Sequence, residues 1–226
     1  MKRKYINRFF LKMESRNDVY QEDDIRYLRQ LAKAKNSEIR SKVAELLSTC
    51  EQEFAEAILF KMTYDKNEIV RADAVDSLGI GKSQQSFRRL RHLMECDRSE
   101  LVQFHAVLSY VDVFWNMDQV SVTEEALIEE LEFLLKKEEL DHVKLSYYEA
   151  LYNLGRTMYL DDLLCLLQDA SKANNGTLVW HALHSLENIL DDNLNQEYID
   201  KMKNLKLSLT RTQKSYYDEM IQDVSQ

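Results

Sequence analysis

The sequence predicts an all-α protein, a right-handed α-α superhelix of about five helix pairs with capping helices at both ends. Three observations lead there. Proline is absent and glycine occurs only four times in 226 residues, at Gly79, Gly81, Gly155 and Gly176. These two residues punctuate β-rich and loop-rich chains, so their scarcity leaves helices joined by short polar turns. Leu, Glu, Lys, Gln, Ala and Met, which propagate helices well, are plentiful. Finally, one apolar pattern recurs five times at the spacing of a helix pair. The chain is long enough to bury a sizeable core in one domain or one short repeat array.

The recurring pattern places apolar residues at i, i+4, i+5 and i+8. It reads Ile39/Val43/Ala44/Leu47, Val70/Ala74/Val75/Leu78, Val102/Ala106/Val107/Tyr110, Val143/Tyr147/Tyr148/Leu151 and Leu178/Ala182/Leu183/Leu186, with starts 31, 32, 41 and 35 residues apart. At 100° per residue these positions span an arc of roughly 140°, the buried face of a helix. Asn36 or Ser37, Asn67 and Ser99 precede the first three as capping residues.

A partner helix precedes each of the five, from DDIRYLRQLAKA to LDDLLCLLQDA, and Ser121 with Glu124 reads as a capping box before the fourth segment. A helix pair of this size cannot bury its faces alone and must stack on its neighbours. Residues 1–226 are therefore read as a single domain, with 1–20 as N-terminal cap, 21–191 as repeats and 192–226 as C-terminal capping helices. The first cap is a basic amphipathic helix over residues 2–14, with Tyr5, Ile6, Phe9, Phe10 and Met13 on one side. Such helices can also lie on membranes; here it is read as covering the open end of the array. The last cap begins at a Thr210/Gln213 capping box and uses Tyr216, Tyr217, Met220, Ile221 and Val224. The alternation over Leu205–Leu209 is read as a turn, because a lone strand would have nothing to pair with.

Segments 36–47 (NSEIRSKVAELL) and 65–81 (DKNEIVRADAVDSLGIG) resemble the second helix of HEAT repeats, especially the short bacterial type related to bilin-lyase subunits. Asp65, Val70, Arg71, Ala74, Leu78 and Gly79 match the family pattern, and Ile39, Arg40, Val43 and Leu47 match it less fully. The basic residue of that pattern sits at the edge of the buried arc, where it can satisfy acids and carbonyls of neighbouring turns. The position reads Arg40, Arg71, Gln103, Lys144 and Val179, with Asp65, Asp97 and Glu138 six residues before three of them. The family's common inter-helix proline is missing throughout. The likeness covers roughly residues 20–190 and implies protein binding along a concave face lined by the second helices.

Charge is unevenly spread. Residues 1–40 carry 11 basic and 6 acidic side chains (+5), 41–100 carry 9 and 11 (−2), 101–200 carry 5 and 19 (−14), and 201–226 carry 5 and 3 (+2). An acidic second half repels phosphates and favours basic partners. Cys50, Cys96 and Cys165 are odd in number and show no C-x-x-C spacing. They read as reduced thiols, two or three of them core filler, in a cytoplasmic protein. No run approaches the roughly 20 apolar residues of a membrane span. The apolar stretch near the N-terminus is broken by Asn7, Arg8 and Lys12, which does not suit a secretory signal.

Positions i+2, i+3, i+6 and i+10 lie opposite the buried arc. Across the later repeats they supply Asp73, Asp76, Phe104, His105, Leu145, Glu149, Trp180, His181 and His184 as candidate partner-binding residues. The i+2 row, Ala72, Phe104, Leu145 and Trp180, forms an apolar strip bordered by Asp73, Asp76, Asp112 and Glu149. An aromatic strip with acidic borders suits a basic helix or peptide of a protein partner. The same spacing also suits packing between repeats for Phe104, Leu108 and Leu145.

No H-E-x-x-H, G-x-S-x-G, P-loop or G-x-G-x-x-G occurs, and neither a cofactor nor a metal is implied. His181, His184 and Glu187 share a helix face but lack a clear convergent ligand set. The catalytic residues are read as none. Two alternatives within the resemblance are an alkylpurine DNA glycosylase-like enzyme, using Trp115, Trp180, Asp73 and Asp112, and a bilin lyase-like protein. The first needs a basic groove, which the acidic half carrying both tryptophans does not offer.

Overall fold

Helices begin where a side chain can accept from their first free amides, and several starts follow that rule. In the computed structural model, which describes residues 3–14, 20–50, 52–118, 122–189 and 196–224, Asn36 accepts from the Glu38 amide at 2.8 Å and Asn67 from that of Val70 at 3.2 Å. Ser99 stands at the third predicted cap without a capping bond from its hydroxyl; Asp97 accepts from the Ser99 amide instead, at 3.0 Å. Thr210 and Gln213 form the reciprocal capping box. Thr123 caps the helix assigned to Ser121, and Ser121 and the Val224 side chain lie outside the described residues.

The described residues form thirteen α-helices and no strand. By its internal contacts the chain divides into two compact units, Met1–Val120 and Ser121–Gln226, a division that the single-domain reading did not draw. Unit 1 holds α1 (Arg3–Glu14), α2 (Glu22–Leu31), α3 (Ser37–Leu47), α4 (Glu53–Met62), α5 (Glu68–Ser77), a 3₁₀ turn (Leu78–Ile80), α6 (Gln84–Cys96) and α7 (Glu100–Asn116). Unit 2 holds α8 (Glu124–Leu135), α9 (Asp141–Asn153), α10 (Tyr159–Lys172), α11 (Gly176–Ile189), α12 (Gln196–Asn204) and α13 (Arg211–Val224). Among the described residues, no helix is long and apolar enough to cross a membrane.

In unit 1 the second helices pack in series, α3 on α5 and α5 on α7, with α4 and α6 alongside α5 and α7. The apolar arcs become the core: Val43, Ala44, Leu47, Val70, Ala74, Val75, Leu78, Val102, Ala106, Val107 and Tyr110 are buried, and Ile39 is half-buried. A fully buried Leu or Val contributes roughly 1.5–3 kcal/mol, so these rows account for much of what holds the unit together. On α1, Ile6, Phe10 and Met13 are buried, and Phe9 sets its ring edge against Tyr27 at 4.7 Å. Tyr5 is exposed rather than covered, since the buried stripe follows the i, i+4, i+7 line from Ile6.

Unit 2 centres on α9, which packs against α8, α10 and α11; α11 in turn meets α10 and α13. Two of its turns close in left-handed conformations. Gly155 (φ 82°) ends α9, with the Arg156 amide donating to Leu151 O at 2.9 Å, and Asn174 (φ 55°) ends α10, with the Asn175 amide donating to Ala170 O at 2.9 Å. The thiols divide: Cys50 is buried, whereas Cys96 and Cys165 are exposed, so only one of the three fills a core.

Candidate functional site

The turns of unit 1 are tied by buried arginines. Arg40 donates through Nε and Nη2 to both oxygens of Asp65, at 2.6 and 2.8 Å, and through Nη1 to Ala34 O at 2.7 Å. One helix pair later, Arg71 binds both oxygens of Asp97, at 2.9 and 2.8 Å, and Asp65 O at 2.9 Å. Both arginines are 5% exposed. Burial alone would push Asp65 and Asp97 upward; the arginine hydrogen bonds, an amide each from Asn67 and Ser99, and the arginine charges hold both below the usual carboxylate range. Gln103, at the next equivalent position, donates to Asp97 O at 2.7 Å and cannot reproduce the bidentate charged contact. The bridges are structural: they set the register of α5 and α7.

That register brings the C-terminal end of α5 against the middle of α7. Ser109 Oγ donates to Asp76 O at 3.3 Å, and Asn116 Nδ2 donates to Gly79 O at 2.8 Å. Gly79 suits this approach, because a Cβ there would stand 2.9 Å from Asp112 Oδ2 and would displace that carboxylate. The result is a notch of about 290 Å³ lined by Asp76, Gly79, Ile80, Asp112, Trp115 and Asn116. Trp115 is 55% exposed. Asp76 takes His105 Nδ1 at 3.0 Å, and the Phe104 ring stands edge-on to His105 at 5.3 Å. Crowding of the Asp112 carboxyl, and then the charge of Asp76, push its pKa up to about 6. The residue keeps an exposed side, so solvent tempers this shift.

Two carboxylates beside an indole suit a cationic side chain: the acids accept from a guanidinium or ammonium, and an indole can attract the same charge. Among the described residues, neither Asp76 nor Asp112 pairs with a lysine or arginine. A larger cavity of unit 1, about 610 Å³, contains Glu56, but that carboxylate is engaged by the start of α6, accepting from the Ser83 and Ser86 hydroxyls and the Lys82 and Ser83 amides.

The nine predicted residues divide between the units. Asp73, Asp76, Phe104 and His105 belong to unit 1, with Asp73 half-buried on α5. Leu145, Glu149, Trp180, His181 and His184 belong to unit 2. Leu145 is 0% and Glu149 4% exposed, and Glu149 accepts from Asn188 Nδ2 at 2.9 Å. Glu149 and Ala72 correct the expectation of a surface position, and Leu145 takes the packed one of its two readings: α5 and α9 have helices on more than one side, so their buried arcs widen past the apolar pattern. His181 meets the His142 ring at 4.9 Å, while Trp180 and His184 stack at 5.8 Å and take Tyr216 of α13 against them. His181 and His184 thus face different partners, and no group of three potential metal ligands converges among the described residues.

Trp115 was legible as part of this surface by continuing the period: Leu108, Asp112 and Trp115 follow one another at i, i+4 and i+7 on the long helix α7. Tyr216 was assigned to a capping helix, but nothing in its neighbours names Trp180 and Glu187 as its contacts. Comparison with protein-family models and with curated proteins finds no match to the chain.

Proposed function

We propose that the chain is a HEAT-type helical-repeat scaffold that binds a basic segment of a protein partner on the α5–α7 face of unit 1, and that it acts by binding rather than catalysis. The observation that carries this reading is the pair Asp76 and Asp112 beside exposed Trp115, neither acid paired with a lysine or arginine among the described residues. Interface energy concentrates on tryptophan anchors, and acids beside one accept from a cationic side chain. The repeat reading is supported by the recurrence of one bridge, Arg40–Asp65 and then Arg71–Asp97, at equivalent places in successive helix pairs.

The test compares wild type with the double variant Asp112→Asn/Trp115→Ala, matched by circular dichroism, as bait in native lysate at low and high salt. A basic protein held by wild type, released by salt and not held by the variant is the expected result. The same proteins held by both forms regardless of salt would overturn the reading.

One observation favours a second reading. A carboxyl raised to about 6 beside an indole is also what a glycosylase-like enzyme would place near a flipped base. That reading requires retention on DNA at low salt, which the scaffold does not.

A further inference from the structure

Helix α13 closes unit 2 with little apolar anchoring of its own. Among its described side chains only Gln213, Tyr217 and Met220 are buried, whereas α11 buries Leu178, Val179, Ala182, Leu183, Leu186 and Ile189. Polar, directional contacts and the packing of one ring add to these. Gln213 Nε2 donates to Gly176 O at 3.1 Å, Tyr217 OH donates to Met202 O at 2.9 Å, and Tyr216 OH reaches both Glu187 and His184, the latter at 2.9 Å.

The Tyr216 contacts define a socket. Trp180, His184 and Glu187 stand at i, i+4 and i+7, one face of α11 apart from its core face. The Trp180 and His184 rings are stacked at 23°, and Tyr216 meets them edge-on at 5.4 and 5.2 Å. The phenol donates to Glu187, which leaves its oxygen to accept from His184 Nδ1. Every wall of the socket comes from α11 and its occupant from α13.

We infer that the Trp180–His184–Glu187 face of α11 is a binding site for a tyrosine-bearing helix, occupied in cis by α13 and opened to a partner helix when α13 lifts away from a still-folded unit 2. The partner chemistry follows from the socket: an aromatic ring edge for Trp180 and His184, and a hydroxyl donor for Glu187, on a helix able to lie along α11. Segments with few buried apolar groups open locally at a fraction of the global free energy. The cis occupant lowers a partner's apparent affinity by the fraction of time the face is covered. This inference goes beyond the reading of unit 1 and does not depend on it.

Hydrogen exchange of the full chain, read by mass spectrometry, tests the opening. Amides of residues 211–224 are expected to exchange about 100-fold faster than those of α9 and α11. Tyr216→Phe should speed α13 roughly tenfold through loss of a charge-assisted hydrogen bond and leave α9 and α11 unchanged. Exchange of α13 in step with α9 and α11 in both proteins would overturn the inference. The binding site is tested with a fluorescein-labelled peptide of residues 205–224. It should bind the full-chain Tyr216→Ala protein more tightly than wild type, and a Tyr216→Phe peptide should bind more weakly than the parent peptide. Absence of binding to both proteins, or equal binding to both, would show that the face is not a helix site held in cis.

Discussion

Arg71 and Asp97 pair through two parallel hydrogen bonds, 2.9 and 2.8 Å long, across 26 positions of sequence and between successive helix pairs. The same guanidinium holds Asp65 O of its own turn. One side chain therefore ties the entry of α5 to the entry of α7, and the notch beside Trp115 depends on that register.

Removing Arg71 leaves the Asp97 carboxylate half-buried without its counter-charge. Arg71→Ala is expected to destabilise unit 1 by about 3–5 kcal/mol, and Arg71→Lys should recover only part of this, since an ammonium cannot form the two-pronged contact. Urea unfolding measures both. A cost near zero for Arg71→Ala would mean that solvent replaces the bridge.

The same pairs make stability depend on acid. Asp65 and Asp97 are held below their ordinary value of 3.8 in the folded chain. A depressed folded pKa contributes stability that is present above the unfolded value and lost as pH falls through the folded one. The melting temperature should therefore drop steeply below about pH 4. In Arg40→Met/Arg71→Met the drop should be shallower and begin from a lower plateau. Parallel acid limbs in the two proteins would assign the effect to other groups.

Asp112 has the opposite sign. Its pKa is raised to about 6, so the charged form costs stability above that pH, and the cost is relieved as pH falls below it. Asp112→Asn should raise the melting temperature at pH 7 to 8, with the gain shrinking through pH 6 and vanishing near pH 4. Under the proposed function the same variant binds the basic partner more weakly. Opposite effects on stability and binding distinguish a functional charge from a structural one.

The two tryptophans should separate cleanly. Trp115 is mostly exposed, so Trp115→Ala is expected to change stability by no more than about 0.5 kcal/mol while weakening partner binding. Trp180 packs on His184 and Tyr216, and Trp180→Ala should cost at least about 1 kcal/mol and loosen α13. Thermal melts and hydrogen exchange on both variants check this.

Leu145 offers a direct measure of how far the buried arc of α9 extends. With no exposed surface, Leu145→Ala should cost about 2–5 kcal/mol, against about 0.5 kcal/mol for a residue on an open strip.

Much of this was readable from spacing. A helix repeats its direction every few residues, so the apolar rows from Val43 to Leu186 marked the core faces, and Asn36, Asn67 and Thr210/Gln213 marked starts, because capping is satisfied within one turn. The bridge from Arg71 to the carbonyl of its own turn was also within reach, as the residues concerned lie six positions apart. What lay opposite the core face was not. Periodicity reports the direction of a side chain but not whether a second helix waits there, so it reads Glu149 and Ala72 as surface where other helices cover them, and leaves Leu145 open between strip and core.

The sequence by itself determined the all-helical class, several helix starts and most of the residues that drive each helix inward, since these are decided within a few turns of chain. Only the tertiary structure decided which acids meet: Asp76 and Asp112 line one notch because α7 packs against α5. It likewise decided that Trp180 is taken by Tyr216, through packing between residues more than thirty positions apart that no local pattern encodes.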